Sequence, residues 1–177
     1  MKLIILDRDG VINHDSDAYI KSPDEWRPLP GSLEAIARLS RSGYRIVVAT
    51  NQSGIARGLF DLAMLASIHA KMHQAVTGAG GRIDAIFFCP HGPEAGCACR
   101  KPRPGLFLEV LERFKAAPAE VHAIGDQLRD LQAAHAAGCR PVLVLTGKGR
   151  ATMANGGLPH DTAVRVDLAA VAAELAP

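Results

Sequence analysis

The sequence predicts an α/β fold with a doubly wound parallel sheet, and three observations lead to this fold class. Short aliphatic and β-branched runs alternate with longer amphipathic stretches along the whole chain. The short runs are apolar at consecutive positions, which is typical of strands that a parallel sheet buries on both faces. The chain has 177 residues, 48% of them hydrophobic, which is enough for one domain with a substantial core. We therefore expect residues 1–177 to form a single domain with helices on both faces of the sheet.

The predicted strands are apolar runs bounded by polar residues, glycine or proline. In chain order they lie at 3–6, 45–50, 84–89, 121–124, 141–145 and 163–166. Because ligands bind beyond the carboxyl ends of the strands in a doubly wound sheet, the residues that follow these runs are the candidate functional residues.

The predicted helices carry apolar residues three and four positions apart. In chain order they lie at 31–42, 61–77, 104–116, 128–137 and 167–175. Asp61 is placed to cap the second helix, and Pro104 suits the first turn of the third. Gly138 is placed to end the fourth.

Composition and charge exclude several classes of protein. The formal net charge is +2 and no block of like charges occurs, which argues against a nucleic-acid partner. The apolar run at 3–6 is too short for a signal peptide, and no run has the length of a membrane span. We therefore expect a cytoplasmic protein without a membrane partner. In that reducing compartment the four cysteines are expected to be thiols or metal ligands.

Polar motifs with reactive or ligand-binding side chains follow the predicted strands or open a predicted helix. They are Asp7-Arg8-Asp9-Gly10, Thr50-Asn51-Gln52-Ser53-Gly54, Arg100-Lys101-Pro102, and Gly125-Asp126 with Asp130 four residues later. Alone, each is also typical of a turn, a helix cap or a solvated surface charge. Their joint order at the strand ends favours a functional site.

Together these motifs supply what phosphoryl transfer to a carboxylate requires. A carboxylate nucleophile is repelled by a phosphate dianion unless cations offset the charge. Asp7 and Asp126 offer hard oxygen ligands to Mg²⁺, and Lys101 offers a second positive charge. Thr50 offers a hydrogen-bond donor to the phosphate. Asp9, two residues beyond Asp7, is placed to act as general acid and base.

With these motifs in this order, the sequence resembles the aspartyl-phosphatase branch of the haloacid dehalogenase superfamily. The resemblance covers most of the chain and implies that Asp7 is the nucleophile and Asp9 the general acid and base. It also implies Mg²⁺ held by Asp7, the backbone carbonyl of Asp9, and Asp126, with phosphate held by Thr50 and Lys101. Members with an acid at the position of Asp9 are mostly phosphotransferases rather than dehalogenases.

Two pairs of soft ligands predict a second metal site. Cys89 and His91 form one pair, and Cys97 and Cys99 the other, with a turn-forming segment between them. Residues two apart in an extended segment point the same way, so each pair presents two ligands to one point. Three thiolates and one imidazole form a closed structural Zn²⁺ site. Because Lys101 follows Cys99 by two residues, we expect this zinc loop to position the lysine. Free buried cysteines are the alternative.

The motifs that begin at Asp7 and Thr50, and the zinc-ligand pairs followed by Arg100-Lys101-Pro102, are similar to those of the heptose bisphosphate phosphatases. Those enzymes remove the 7-phosphate of D-glycero-D-manno-heptose 1,7-bisphosphate for lipopolysaccharide core synthesis. The related histidinol-phosphate phosphatases are the alternative. Arg100 favours the sugar, because its planar fork suits a second phosphate that histidinol phosphate lacks. The resemblance implies a small phosphorylated sugar as substrate. It places the following residues around that substrate: Asp15, Ser16, Asp17 and Ala18 in a flap, with Thr50, Asn51, Gln52, Ser53, Arg100, Lys101 and Gln127.

Three further expectations concern the surroundings of the site. No large cap domain fits between the motifs, so the fold has a minimal cap with the zinc loop, and we expect a monomer. Polynucleotide 3′-phosphatases share related motifs, but the chain has no basic patch or aromatic platform. A non-catalytic phospho-acceptor module is the alternative outside enzymes; it needs neither Asp9 nor the zinc ligands.

Overall fold

The computed structural model describes residues 1–177 and contains one six-stranded sheet in which every neighbouring pair of strands is parallel. The spatial order is β3-β2-β1-β4-β5-β6. The strands are β1 (Leu3–Leu6), β2 (Arg45–Asn51), β3 (Ala85–Cys89), β4 (His122–Gly125), β5 (Arg140–Val144) and β6 (Ala163–Arg165). The predicted doubly wound parallel sheet is confirmed.

Six helices cover the two faces of the sheet. They are α1 (Ser32–Arg41), α2 (Leu62–Gly78), α3 (Gly105–Phe114), α4 (Leu128–Ala136), α5 (Gly149–Asn155) and α6 (Leu168–Leu175). Alternate residues of β1 enter opposite cores: Ile4 and Leu6 pack with α1, α2 and α6, whereas Leu3 and Ile5 pack with α3 and α4. This alternation follows from the two-residue period of a strand.

The structure adds elements that the hydrophobic pattern does not predict. Helix α5 has seven residues, begins at a glycine and buries only Gly149 and Thr152. A polar segment of this length is too short to show an amphipathic period in the sequence. The helix forms because β5 and its neighbouring loops hold the segment in place. Single 3₁₀ turns occur at Pro23–Glu25, Pro93–Ala95 and Pro118–Glu120. The other predicted helices and strands are present, with ends that differ by a few residues at most.

The topology brings the polar motifs together at one edge of the sheet. Strand β1 lies between β2 and β4, with Leu6 level with Val48 and Ile124. Asp7 therefore emerges between the segments that follow β2 and β4.

None of the six helices combines the length and the apolarity needed to cross a bilayer.

Candidate active site

Asp7 lies at the base of the site and is held through one carboxylate oxygen. Its Oδ1 accepts from the backbone N–H of Arg8 at 2.8 Å and lies 3.0 Å from Nζ of Lys101. The side chain is almost fully buried, yet it lines the cavity. Burial raises the pKa of Asp7 to about 6, and the positive charges of Lys101 and Arg129 oppose that rise. Oδ2 has no protein partner and is therefore the oxygen available for chemistry.

Lys101 is fixed in place beside Asp7. Its Nζ donates to the carbonyl of Ala49 at 2.9 Å and lies 2.7 Å from Oδ1 of Asp130. The side-chain amide of Asn51 also accepts from the Lys101 N–H and donates to its carbonyl, both at 3.1 Å. With Asp7, three oxygens surround an ammonium that has three N–H bonds. The charge of Lys101 thus faces the site while its protons are already engaged.

The carboxylate of Asp9 is held in its ionised form. Arg8, which is fully buried, places its Nε and Nη2 3.0 Å from the two oxygens of Asp9. Asn13 donates to Oδ1 at 2.8 Å, and Gln52 donates to Oδ2 at 3.1 Å. Burial opposes ionisation, but the charge and hydrogen bonds of Arg8 outweigh it, so the pKa of Asp9 lies below its usual value.

Thr50 is oriented by the same glutamine. Nε2 of Gln52 donates to Oγ1 of Thr50 at 3.0 Å as well as to Asp9. Since the hydroxyl oxygen of Thr50 accepts this bond, its own proton is free to point at a ligand. Gln52 therefore connects the hydroxyl of Thr50, the candidate phosphate donor, to the candidate general acid Asp9.

Asp126 has the chemistry of a metal ligand. Its Oδ2 accepts from the backbone N–H of Lys148 at 2.8 Å, whereas its buried Oδ1 has no partner. Burial, followed by the neighbouring charges of Asp130 and Asp7, raises the pKa of Asp126 to about 8. A buried acceptor without a donor, among three carboxylates whose oxygens lie within 4.8 Å of one another, fits a hard divalent cation.

Two glycines make room for that carboxylate. A Cβ on Gly10 would lie 2.1 Å from Oδ2 of Asp126, and one on Gly147 would lie 2.2 Å from the same atom. Both glycines have positive φ, 82° and 53°. The turns after β1 and β5 therefore close around Asp126 only because neither carries a side chain there.

A polar cavity of about 300 Å³ opens above these groups. Most of the predicted site residues line it: Asp7, Asp9, Asp15, Ser16, Asp17, Thr50, Asn51, Gln52, Ser53, Arg100 and Gln127. Three predicted residues are not part of its lining. Lys101 and Asp126 lie behind it at Asp7, and Ala18 is exposed on the flap.

Three cations of the cavity wall, Arg57, Arg129 and Lys148, are not among the residues that the sequence predicts. Nζ of Lys148 lies 2.7 Å from Oδ1 of Asp17 and 3.5 Å from Oδ2 of Asp15, which ties the flap to the segment after β5. Lys148 lies four residues beyond β5 and Arg129 four residues beyond β4, so the rule that identified Asp7 and Asp126, which directly follow their strands, reaches neither of them. Arg57 and Arg129 lie beyond the strand ends and carry no such signal.

The predicted zinc ligands form one cluster. Sγ of Cys89 lies 3.2 Å from Sγ of Cys99 and 3.7 Å from Sγ of Cys97. Nδ1 of His91 lies 3.6 Å from the sulfur of Cys89 and 3.3 Å from that of Cys99. Tetrahedral zinc with Zn–S bonds of about 2.3 Å places sulfurs about 3.8 Å apart. The separation of 3.7 Å agrees with this value, whereas the separation of 3.2 Å would have to lengthen when the ion binds. The four ligand types, gathered within 4.8 Å of one another, fit a closed zinc site.

The cluster is connected to the catalytic edge of the site. Nη1 of Arg100 donates to the carbonyl of His91 at 3.2 Å. The backbone N–H of Gly105, at the start of α3, donates to the carbonyl of Ala98 at 3.1 Å. The loop is thus held from both sides around the segment that carries Lys101.

Comparison with known proteins agrees with this geometry. A HAD-hydrolase-like family model matches residues 98–171. D-glycero-β-D-manno-heptose-1,7-bisphosphate 7-phosphatase of Bordetella bronchiseptica is 63% identical over 175 residues, 99% of this chain and 98% of that protein. The Pseudomonas putida protein of the same name is 53% identical, covering 99% of each.

A solved crystal structure of a related protein also matches this chain. The crystal structure of D,D-heptose 1,7-bisphosphate phosphatase from B. bronchiseptica, complexed with magnesium and phosphate, matches with a TM-score of 0.98. The match has 63% identity and covers 99% of this chain and 98% of that chain. Identity of this extent shows common descent and not only a common fold. The chain belongs to the heptose 1,7-bisphosphate phosphatase family of haloacid dehalogenase-like hydrolases.

Proposed function

We propose that this chain hydrolyses the 7-phosphate of D-glycero-β-D-manno-heptose 1,7-bisphosphate through a phosphoaspartate on Asp7. The observation that carries the chemistry is the free Oδ2 of Asp7 at the base of a polar cavity, beside Lys101 and Thr50. The names of the full-length relatives supply the substrate and its β anomer.

Asp7 acts as the nucleophile. Its Oδ2 attacks phosphorus, and the bond between phosphorus and the O7 oxygen of the sugar breaks. Lys101 offsets negative charge on the transferring group, while the free proton of Thr50 is donated to one of its oxygens. Oδ1 stays bound to the N–H of Arg8, which keeps the carboxylate oriented throughout.

Asp9 moves the protons. It gives a proton to O7 as the sugar leaves, and it then takes one from the water that attacks phosphorus in the phosphoaspartate. Phosphate leaves as the bond to Oδ2 of Asp7 breaks. Arg8 favours the ionised Asp9 needed for the second step, and a bound phosphate dianion favours the protonated Asp9 needed for the first.

Two metals belong to this proposal. Asp7, Asp126 and the backbone carbonyl of Asp9 are the residues that hold Mg²⁺, which supplies positive charge to the phosphate. The Cys89, His91, Cys97 and Cys99 cluster would hold a structural Zn²⁺, which would fix the loop before Lys101. Support comes from the partnerless Oδ1 of Asp126, the ligand distances of the cluster, and the magnesium and phosphate in the related structure.

Arg100 recognises the phosphate that stays on the sugar. It lines the cavity, and its Nη1 donates to the backbone carbonyl of His91. Changing Arg100 to Ala is expected to lower kcat/KM for the bisphosphate by roughly 10- to 100-fold, the worth of a charge-assisted hydrogen bond. Heptose 7-phosphate should lose less than about threefold. Arg113→Ala, at the end of α3, is the matched control. Equal losses on both substrates would contradict this role.

The substrate class is tested by measuring phosphate release from four compounds. They are the two anomers of the heptose 1,7-bisphosphate, histidinol phosphate, and a DNA 3′-phosphate. The proposal predicts the highest kcat/KM for the β anomer. A preference for histidinol phosphate would replace the proposed substrate, and turnover of none of them by zinc- and magnesium-replete protein would favour a phospho-acceptor module.

The pKa values of the metal site predict a pH-dependent stability. In the absence of Mg²⁺, buried Asp126 keeps a proton up to about pH 8, whereas the unfolded chain loses it near 3.8. Because the folded state binds more protons in between, the free energy of unfolding should fall from pH 6 to 8, by up to about 1.4 kcal/mol per pH unit. Saturating Mg²⁺ replaces the proton and should flatten this slope.

Urea unfolding at pH 6, 7 and 8 measures the slope. The protein is kept zinc-replete and free of chelator, with and without Mg²⁺. Asp126→Asn is the matched variant, and it should lose the slope between pH 7 and 8 and most of the response to Mg²⁺, whereas Asp7, with a pKa of about 6, still contributes near pH 6. A slope that is the same with and without the ion would contradict the assignment of Asp126.

A further inference from the structure

Arg129 is a cation of the cavity wall without a partner. It is the second residue of α4, it is half-buried, and it lines the cavity. Its Nε is buried and has no hydrogen-bond partner, and its guanidinium makes no ion pair. A buried donor left unsatisfied is costly, and costlier still when it carries charge. Such a group is suited to a ligand that supplies the missing acceptor.

Three other cations around the site are already engaged. Nζ of Lys101 has three oxygens within 3.0 Å, and Lys148 is paired with Asp17 and Asp15. Arg100 donates to the backbone of the zinc loop. Arg57, the remaining cation of the wall, is exposed and lies over the ring of Tyr19, 5.9 Å from its centroid. Arg129 is therefore the cation of this cavity that has a buried donor without an acceptor.

The position of Arg129 in its helix strengthens the argument. The N-terminus of a helix carries partial positive charge, so a cation in the first turn is unfavourable. Asp130 beside it is not a compensating partner, because its carboxylate contacts Lys101 and the N–H of Gln127. An unfavourable cation at a site lined by catalytic groups indicates function rather than stability.

We propose that Arg129 binds a phosphate group of the substrate. Its planar fork matches two oxygens of a phosphate monoester. The charge of Arg129 acts on Asp7 and on Lys101, which places the guanidinium within electrostatic reach of the transferring phosphate. The inference rests on the proposed function only for the identity of the phosphate ester.

Arg129→Gln and Arg129→Lys test this assignment, with Arg113→Gln on the surface of α3 as the matched control. The Kd of inorganic phosphate is measured by calorimetry on the zinc-replete protein with saturating Mg²⁺. We expect it to rise roughly 10- to 100-fold in Arg129→Gln and less in Arg129→Lys, which keeps the charge but not the fork. The melting temperature should change little, because Arg129 has no hydrogen bond or ion pair to lose and only its longer-range attraction to Asp7 is removed.

Kinetics then show which phosphate is bound. A loss of kcat/KM that is equal for heptose 7-phosphate and the bisphosphate assigns Arg129 to the transferring group, and a loss confined to the bisphosphate assigns it to the retained one. Unchanged phosphate affinity and unchanged kinetics in Arg129→Gln would overturn the inference, as would a lower melting temperature with unchanged phosphate affinity. The calorimetric measurement tests phosphate binding by Arg129 even if the heptose bisphosphate is not a substrate.

Discussion

Changing Asp7 to Asn is expected to lower kcat by a factor on the order of 10⁴ or more, the scale of removing a nucleophile. An amide cannot take the phosphoryl group in the way that a carboxylate does. The change also removes one of the oxygens assigned to Mg²⁺. The asparagine keeps an oxygen that can accept from the N–H of Arg8, so the fold should persist. The measurement is phosphate release from the β-heptose bisphosphate with saturating Mg²⁺, alongside circular dichroism.

Asp24→Asn is the control for this change. Asp24 is an exposed residue of the turn at Pro23–Glu25, and it makes no ion pair. Its variant should turn over at the wild-type rate. Turnover of Asp7→Asn within a factor of about ten of wild type, with no reversion detected by mass spectrometry, would exclude Asp7 as the nucleophile.

Loss of zinc is expected to have the second-largest effect. Changing Cys99 to Ser removes a ligand two residues before Lys101 and releases the segment that carries it. Lys101 touches Asp7 and Asp130 at 3.0 and 2.7 Å, so a small displacement breaks both contacts. Misplacement by about 1 Å costs roughly 100-fold in rate. We therefore expect kcat to fall by about this factor even with saturating Mg²⁺, with zinc measured by elemental analysis.

Cys139→Ser separates this effect from the general cost of changing a cysteine. Cys139 is buried among apolar residues and lies outside the metal cluster. Its variant should keep zinc and activity, with some loss of stability from the buried hydroxyl. Wild-type turnover by a verified zinc-free sample would refute the link between the zinc loop and Lys101.

The catalytic edge of the site follows from the sequence because its residues obey a topological rule. Asp7 and Asp126 directly follow strands, Thr50 lies at the end of β2, and parallel strands end at the same edge of the sheet. The zinc cluster follows from local spacing alone. In both cases the chemistry is encoded within a few residues of a recognisable element.

The wall of the cavity does not follow in this way. Arg129 belongs to the first turn of α4 and Arg57 to a loop beyond β2, so only tertiary packing shows that both face the cavity. Ala18 is a separate case: the resemblance places it near the substrate, it is exposed on the flap and outside the lining of the cavity, and its contact with the substrate stays a prediction. Helix α5 was not predicted for a related reason. Its seven residues show no amphipathic pattern, and their helical structure depends on contacts with the surrounding chain.

The proposed covalent intermediate is tested most directly by acid quenching during the first turnover. Zinc- and magnesium-replete protein is mixed with the β-heptose bisphosphate, quenched within the burst, digested and analysed by mass spectrometry. The mechanism predicts a phosphorylated peptide with the group on Asp7, absent from Asp7→Asn and decaying as free phosphate appears. Full phosphate release without any phosphorylated Asp7 at any quench time would contradict it and indicate direct attack by water.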